Sequence, residues 1–137
     1  MSEKNTIVIT SAKRTAIGSL GGSLKSVSAH ELGAEVISDV IKNSKLKNEE
    51  VDEVIMGQVL TGGAGQNPAR QAAIKCGLPK EKPAYLVNQV CGSGLRSIAS
   101  GFQSIRSKDS KIVIAGGQES MSTSPHAVFI RNGKKLG

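Results

Sequence analysis

Apolar residues occur along the chain in two patterns that alternate from the N-terminus onward. Short β-branched runs predict buried strands, and apolar positions at helical spacing predict the helices between them. The four predicted strands lie at residues 7–9, 54–56 (continuing toward residue 60), 85–87 and 112–115. The three predicted helices open at Ser28, at Asn67 and just after Cys91. Strands that alternate with helices predict an α/β fold with a mainly parallel sheet.

Two of the predicted helix starts carry capping signals. Ser28 is followed three residues later by Glu31, which is the capping-box pattern. Asn67 is followed by Pro68, and proline is tolerated at the first position of a helix. The third helix has an apolar face at Leu95, Ile98, Ala99, Phe102 and Ile105. With four parallel strands, the three helices are expected on both faces of the sheet, two crossovers on one side and one on the other.

The ends of the predicted strands carry the residues of chemical interest. Glycine clusters follow the first, second and fourth strands, and Cys91 follows the third. Because ligands of parallel sheets gather at the carboxyl ends of the strands, we expect a functional site at this edge.

Composition narrows the class of partner. The net charge of +7 would suit nucleic acid, an anionic membrane or a polyanionic small ligand, and its densest stretch is Arg131, Lys134 and Lys135. Aromatic residues make up only 2% of the chain, and neither zinc-ligand spacing nor an aromatic RNA-binding motif is present. We therefore expect no nucleic-acid partner, no membrane partner and no metal, and interpret most of the charge as a solvated surface.

The two cysteines, Cys76 and Cys91, are too few for a disulfide framework. No secretory leader and no apolar run long enough to span a membrane is apparent. The sequence thus predicts a cytoplasmic protein whose thiols are reduced.

Cys91 lies where a predicted strand leads directly into a predicted helix. Backbone N–H groups and the positive end of the helix dipole would stabilise a thiolate there. Gly92 and Gly94 would leave the sulfur approachable, and the N–H of Cys91 itself is a candidate oxyanion donor. The geometry alone leaves open the alternative of a buried, inert cysteine.

Residues 87–95, VNQVCGSGL, resemble the acyl-cysteine motif of thiolases, particularly of the acetyl-CoA acetyltransferase (acetoacetyl-CoA thiolase) type. Three further segments are similar to thiolase motifs in the family's order: residues 14–18 (RTAIG), 65–71 (GQNPARQ) and 116–122 (GGQESMS). One departure is Gln118, where many relatives carry methionine.

The resemblance implies a thiolase-like layered fold and a ping-pong acyl transfer on coenzyme A thioesters. Cys91 would be the catalytic residue, taking the acyl group from one thioester before an acetyl-CoA carbanion attacks it. The reverse reaction would be thiolysis. No cofactor is implied beyond the acyl-CoA substrates, and coenzyme A-binding residues are not identified.

The resemblance also implies that the chain is incomplete. Residues 1–122 would be an unfinished thiolase N-terminal domain, and residues 123–137 the truncated start of the loop domain. A full thiolase carries a Gly-His-Pro histidine and a Cys-x-Gly cysteine, and neither motif occurs here. The implied partners are further copies of the chain or a complementing C-terminal thiolase chain.

The remaining reactive side chains receive structural interpretations. His30 is expected to be solvated in the first turn of a helix, and His126 follows Pro125 in a loop without matching the family's histidine. Cys76 is expected in the core. Arg14, Arg70 and Glu119 are interpreted as members of structural ion pairs.

Three alternatives compete with the interpretation as a catalytic thiolase fragment. The chain is either a catalytic fragment or split-gene subunit, or a non-catalytic remnant of a thiolase. A hydrolase with a cysteine elbow is disfavoured because Gln89 stands where that elbow requires glycine. Ketosynthases are the nearest rival enzymes, and Asn88-Gln89 together with the methionine-serine segment points to thiolase instead.

Overall fold

A computed structural model describes residues 6–130 of the chain. The basic stretch at Arg131, Lys134 and Lys135 lies outside these residues. The helices are α1 (Ala29–Asn43), α2 (Pro68–Lys75) and α3 (Ser93–Ser107), with 3-10 turns at Asn48–Glu50 and Met121–Thr123. The strands are β1 (Glu53–Gly57), β2 (Ala84–Val87) and β3 (Val113–Gly117).

The three strands form one parallel sheet in the order β2-β1-β3. Ile55 in the central strand pairs with Tyr85 on one side and with Ala115 on the other. The chain passes from β1 through α2 to β2, and then through α3 over the central strand to β3. The prediction of an α/β fold with a parallel sheet is confirmed.

The predicted first strand is wrong. Residues 7–9 adopt no strand, and the side chains of Val8 and Ile9 are 65% and 77% exposed. A β-branched run forms a strand only where a neighbour offers N–H and carbonyl groups, and none of the three described strands pairs with this segment. The sheet therefore has three strands and two crossovers within the described residues, in place of four strands and three crossovers.

Strand β1, which corresponds to the second predicted strand, is shorter than the sequence indicates. It ends at Gly57, before the apolar pair Val59 and Leu60. The backbone N–H groups of these two residues donate to the carboxylate of Glu119, so they have left the ladder of the sheet.

Helices α1 and α2 cover one face of the sheet and enclose the main core. Ile37 and Ile41 of α1 pack with Val54 and Met56 of β1 and with Ile114 of β3, all buried. Burying an aliphatic side chain of this size contributes about 1.5–3 kcal/mol. This face thus carries most of the apolar packing of the described residues.

Helix α3 lies alone on the opposite face and approaches the sheet through its small residues. Ser93, Ser97 and Gly101 are its buried positions. A Cβ atom on Gly57 would lie 2.4 Å from the carbonyl carbon of Ser93, so only glycine fits beneath the start of the helix. The Ser97 hydroxyl lies 2.6 Å from the carbonyl oxygen of Gly116, which ties the helix to β3.

The apolar side of α3 consequently points away from the sheet. Leu95 is 74% exposed, and Ile98 and Phe102 are also exposed. The predicted apolar face exists, but it is not the face that packs on the sheet, because the small residues allow the closer approach. None of the helices within residues 6–130 is long and apolar enough to cross a membrane.

Candidate active site

Three loops leave the sheet at its carboxyl edge. They comprise residues 58–65 after β1, residues 88–92 after β2 and residues 118–125 after β3. Cys91 lies in the second loop, immediately before the start of α3, and is exposed. The structure therefore places Cys91 at the strand-to-helix junction that the sequence predicts, and the alternative of a buried cysteine does not apply.

The turn that carries Cys91 is held by hydrogen bonds on both sides of the cysteine. The N–H of Gly92 donates to the carbonyl oxygen of Gln89 at 3.0 Å, and that of Ser93 to Val90 at 3.1 Å. The Ser93 hydroxyl accepts from the N–H of Gln89 at 2.8 Å and donates to the carbonyl oxygen of Val90 at 2.6 Å. The backbone around the thiol is thus tightly folded.

Val90, the residue before Cys91, has an unfavourable backbone conformation. Its φ is +51°, and the left-handed region is costly for a β-branched side chain. Its N–H donates to the Oδ1 atom of Asn88 at 3.0 Å. Together with the Ser93 hydroxyl, this bond holds Val90 in the conformation that turns the chain toward α3.

The start of α3 has no side-chain cap. Gly92 occupies the N-cap position and makes no side-chain hydrogen bond. The first N–H groups of a helix carry partial positive charge, which favours an anion next to them. An exposed thiol at this position has the environment in which a thiolate, or an oxyanion formed on an attached acyl group, is stabilised.

The second cysteine has the opposite environment. Cys76 is the C-cap residue of α2 and is half-buried against the main core. Its Sγ atom donates to the carbonyl oxygen of Ala73 at 3.1 Å, and burial raises the pKa of the thiol. The expected core position of Cys76 is confirmed in part, because the side chain packs on the core without being fully enclosed.

Glu119 has a role that the sequence did not indicate. Its carboxylate accepts from the N–H of Val59 at 2.8 Å and from the N–H of Leu60 at 3.3 Å. The neighbouring hydroxyls act similarly, since Ser120 donates to the carbonyl oxygen of Val27 and Ser122 accepts from the N–H of Gly21. The 118–122 segment therefore joins the loop after β1 to the segment that precedes α1.

A buried amide pair lies behind the same loops. The Nε2 atom of Gln118 donates to the Oε1 atom of Gln58 at 2.9 Å, and Gln58 donates to the carbonyl oxygen of Leu60 at 2.9 Å. The Oε1 atom of Gln118 is buried and accepts no hydrogen bond within the described residues. Gln118, the departure noted in the sequence, is thus a structural member of the loop framework.

Within residues 6–130, Arg14, Arg70 and Glu119 form none of the ion pairs that the sequence led us to expect. Arg14 donates to the carbonyl oxygen of Thr15, and Arg70 donates to the carbonyl oxygens of Lys80 and Lys82. In residues 6–130 the salt bridges are Lys13–Asp39 and Lys75–Glu31. All three side chains serve backbone groups instead, which patterns of charge along a sequence do not reveal.

Within residues 6–130, neither histidine makes a hydrogen bond to the Cys91 thiol. His30 is half-buried in the first turn of α1, with Nε2 3.3 Å from the Ser28 hydroxyl, and lines a pocket of about 230 Å³ to which Cys91 does not contribute. His126 is exposed in the loop after β3. Within residues 6–130, no group of three His, Cys, Asp or Glu side chains is placed to hold a metal ion.

Comparison with known proteins identifies the family. The family model described as "Thiolase, N-terminal domain" matches residues 7–137. Acetyl-CoA acetyltransferase from Rhizobium meliloti (strain 1021) is 56% identical over 131 residues, which cover 96% of this chain and 33% of that protein. The Paracoccus denitrificans enzyme of the same name is 55% identical over 130 residues, covering 95% of this chain and 33% of that protein.

A mammalian relative gives the same picture. "Acetyl-CoA acetyltransferase, cytosolic" from Rattus norvegicus is 50% identical over 131 residues, 96% of this chain and 33% of that protein. The chain thus spans about a third of the length of the curated relatives it matches. With the parallel α/β fold and the cysteine at the strand-to-helix junction, these matches show that the chain belongs to the thiolase family, within its N-terminal domain.

Proposed function

We propose that the chain contributes the acyl-carrying nucleophile, Cys91, to a thiolase-type acetyl-CoA C-acetyltransferase. The observation that carries the proposal is the exposed thiol at the uncapped start of α3. The Cys91 thiolate attacks the thioester carbonyl carbon, a new C–S bond forms, and coenzyme A leaves as a thiolate that takes up a proton. The acyl group stays on Cys91 until an acetyl-CoA carbanion, or coenzyme A in thiolysis, removes it.

Residues outside the chain complete this chemistry. The family resemblance assigns deprotonation of the nucleophile to a Gly-His-Pro histidine and deprotonation of acetyl-CoA to a Cys-x-Gly cysteine. Neither motif is in the sequence, and within residues 6–130 neither His30 nor His126 makes a hydrogen bond to Cys91. We infer that the partner is a polypeptide carrying the remaining thiolase motifs, and that acyl-CoA thioesters are the substrates without a further cofactor.

The exposed side of α3 supports a partner of this kind. Leu95, Ile98 and Phe102 form an apolar surface that begins one turn beyond Cys91. Exposed apolar side chains grouped beside a candidate site are typical of an interface. The second candidate, a non-catalytic remnant, would retain the fold but would not catalyse the complete reaction.

Transfer of an acetyl group to the protein tests the first half of the reaction. Incubation with acetyl-CoA, followed by peptide mass spectrometry, is expected to place an acetyl group on Cys91 and not on Cys76, because exchange at the thioester carbonyl moves the acetyl group to the thiol and releases coenzyme A. Cys76→Ala is expected to acetylate normally, whereas Cys91→Ala is expected to remain unmodified. Acetylation that persists in Cys91→Ala would refute the assignment.

Mixing the chain with a second polypeptide that carries the Gly-His-Pro and Cys-x-Gly motifs tests the whole reaction. General acid–base groups contribute about 10²–10⁴-fold each, so thiolysis of acetoacetyl-CoA is expected only from the mixture. Acetylation of Cys91 without any turnover in the mixture would favour the non-catalytic remnant.

Iodoacetamide labelling compares the two thiols directly. Near neutral pH we expect Cys91 to alkylate faster than Cys76, because Cys91 is exposed and burial both shields the Cys76 thiol and raises its pKa. Equal rates of labelling would contradict the proposed role of Cys91.

A further inference from the structure

We propose that Glu119 and Asn88 are positioning residues that hold Cys91 at the start of α3 through hydrogen bonds that cross two loops. The inference rests on the proposed role of Cys91 as nucleophile. It adds two residues that contact neither the thiol nor, in the proposed reaction, the acyl group.

The first part of the connection joins the loops after β3 and β1. The Glu119 carboxylate accepts from two successive N–H groups, at 2.8 Å from Val59 and 3.3 Å from Leu60. Hydrogen bonds to an ionised acceptor are stronger than those between neutral groups. The carboxylate therefore fixes the orientation of the Val59 peptide at the point where the chain leaves the sheet.

The second part joins the loop after β1 to the turn that carries the nucleophile. The Asn88 amide spans the gap, because its Nδ2 atom donates to the carbonyl oxygen of Val59 at 3.4 Å and its Oδ1 atom accepts from the N–H of Val90 at 3.0 Å. The bond to Val59 is the longest of the connection. The Nδ2 atom of Asn88 thus binds the loop after β1, and its Oδ1 atom binds the loop after β2.

Val90 is where the connection acts on the nucleophile. Its φ of +51° costs energy in the folded state, so the bond from Asn88 opposes relaxation of the backbone. Relaxation at Val90 would rotate the peptide that leads into Cys91. The thiol would then move relative to the N–H groups at the start of α3, whose partial positive charge favours an anion next to them.

The experiment measures alkylation of Cys91 by iodoacetamide as a function of pH, with Cys76 in the same chain as the reference for folding. The variants are Glu119→Gln, which places an amide donor against one of the two N–H groups, and Asn88→Leu, which has a similar shape and no charge and loses both hydrogen bonds of the amide. Asp52→Asn is the matched control. Its carboxylate also accepts from two successive N–H groups, those of Lys111 and Ile112 at 2.7 and 3.0 Å, but at the amino end of the sheet.

We expect each site variant to slow alkylation of Cys91 by about threefold at neutral pH, the size of effect that a helix terminus produces, and to move the half-maximal rate to higher pH. The control is expected to leave both unchanged. The double variant should be slowed by less than the product of the two single effects, because both substitutions interrupt one connection.

The opposite results are equally specific. A role in general stability would speed alkylation of half-buried Cys76 in the site variants, and this outcome would overturn the proposal. Unchanged Cys91 rates and pH profiles in both variants would do so as well. Because the readout is the ratio of variant to wild type at Cys91, it stands apart from acetylation by acetyl-CoA, which decides whether Cys91 is the nucleophile.

Discussion

Helices α1 and α3 are of the same length and begin in contrasting ways. Ser28 caps α1, and its N–H and hydroxyl both donate to the Glu31 carboxylate, at 3.1 and 2.8 Å. Helix α3 begins at Gly92 without a side-chain cap, next to exposed Cys91. The chain thus uses one helix start for stability and leaves the other open for chemistry, because a capping side chain would occupy the groups that a thiolate or oxyanion needs.

An added methyl group at the contact of each helix should destabilise the protein more at α3 than at α1, and this is the largest difference expected between the two helices. In Gly57→Ala the new Cβ atom would lie 2.4 Å from the carbonyl carbon of Ser93 and 2.5 Å from the backbone nitrogen of Gly94. Helix α3 would therefore have to move. We expect a loss of about 3 kcal/mol in the free energy of unfolding, measured by urea denaturation.

Gly33→Ala is the corresponding substitution in α1. Its Cβ atom would meet the Oε1 atom of Gln118, which is a side-chain atom and not backbone. Moving this buried amide strains its hydrogen bond to Gln58, but alanine also raises helix propensity by about 1 kcal/mol. A clearly smaller loss is therefore expected. Equal losses in the two variants would show that α3 is not held more rigidly than α1.

A charge placed at the open helix start should lower the reactivity of Cys91. Gly92→Asp adds a carboxylate beside the thiol, whereas Gly92→Asn adds a side chain of the same shape without charge. Repulsion between the carboxylate and a thiolate is expected to make alkylation of Cys91 about threefold slower in the aspartate variant than in the asparagine variant. Identical rates would mean that electrostatics at this helix start do not govern the thiol.

The capped helix start should respond to acid instead. Hydrogen bonds from Ser28, with the Lys75 ammonium adding to them, lower the pKa of Glu31 from 4.5 to about 2. A carboxyl with a lower pKa in the folded state stabilises the fold above its ordinary pKa, and this contribution disappears as the pH falls through the window from 4.5 toward 2.

Urea denaturation at pH 6, 4 and 2.5 measures this contribution as the difference between wild type and Glu31→Gln. The difference should be greatest at pH 6 and shrink toward pH 2.5. Comparing the two proteins at each pH also cancels the effect of other acids such as Asp52, which titrate in both. A difference that stays constant over this range would contradict the capping role of the charge.

Local signals in the sequence predicted much of the fold. The starts of α1 and α2 are where Ser28 and the Asn67-Pro68 pair indicate, because a cap depends on residues within one helical turn. Three of the four predicted strands are present, and each has a helix packed against it in the sheet. The prediction of a strand at residues 7–9 was wrong, because strand pairing depends on residues that are distant in the sequence.

In the candidate site, too, the features that depend on neighbouring residues were predictable and those that depend on distant residues were not. The position of Cys91 followed from its neighbours, because a cysteine between a strand and a helix is a local pattern. The contacts of Glu119 with Val59 and Leu60 span 60 and 59 residues, and no periodicity in the chain signals them. The outward orientation of Leu95 likewise depends on how closely Gly57 lets α3 approach, which an apolar pattern does not encode.

The order of the sheet has a consequence for how the chain can be built during synthesis. The central strand β1 is the first of the three to leave the ribosome, and β2 and then β3 follow, each adding to a free edge of what already exists. No completed pairing has to open to admit a later strand. Assembly can therefore proceed outward from one strand as translation advances, which limits the time that unpaired edges are exposed to other nascent chains.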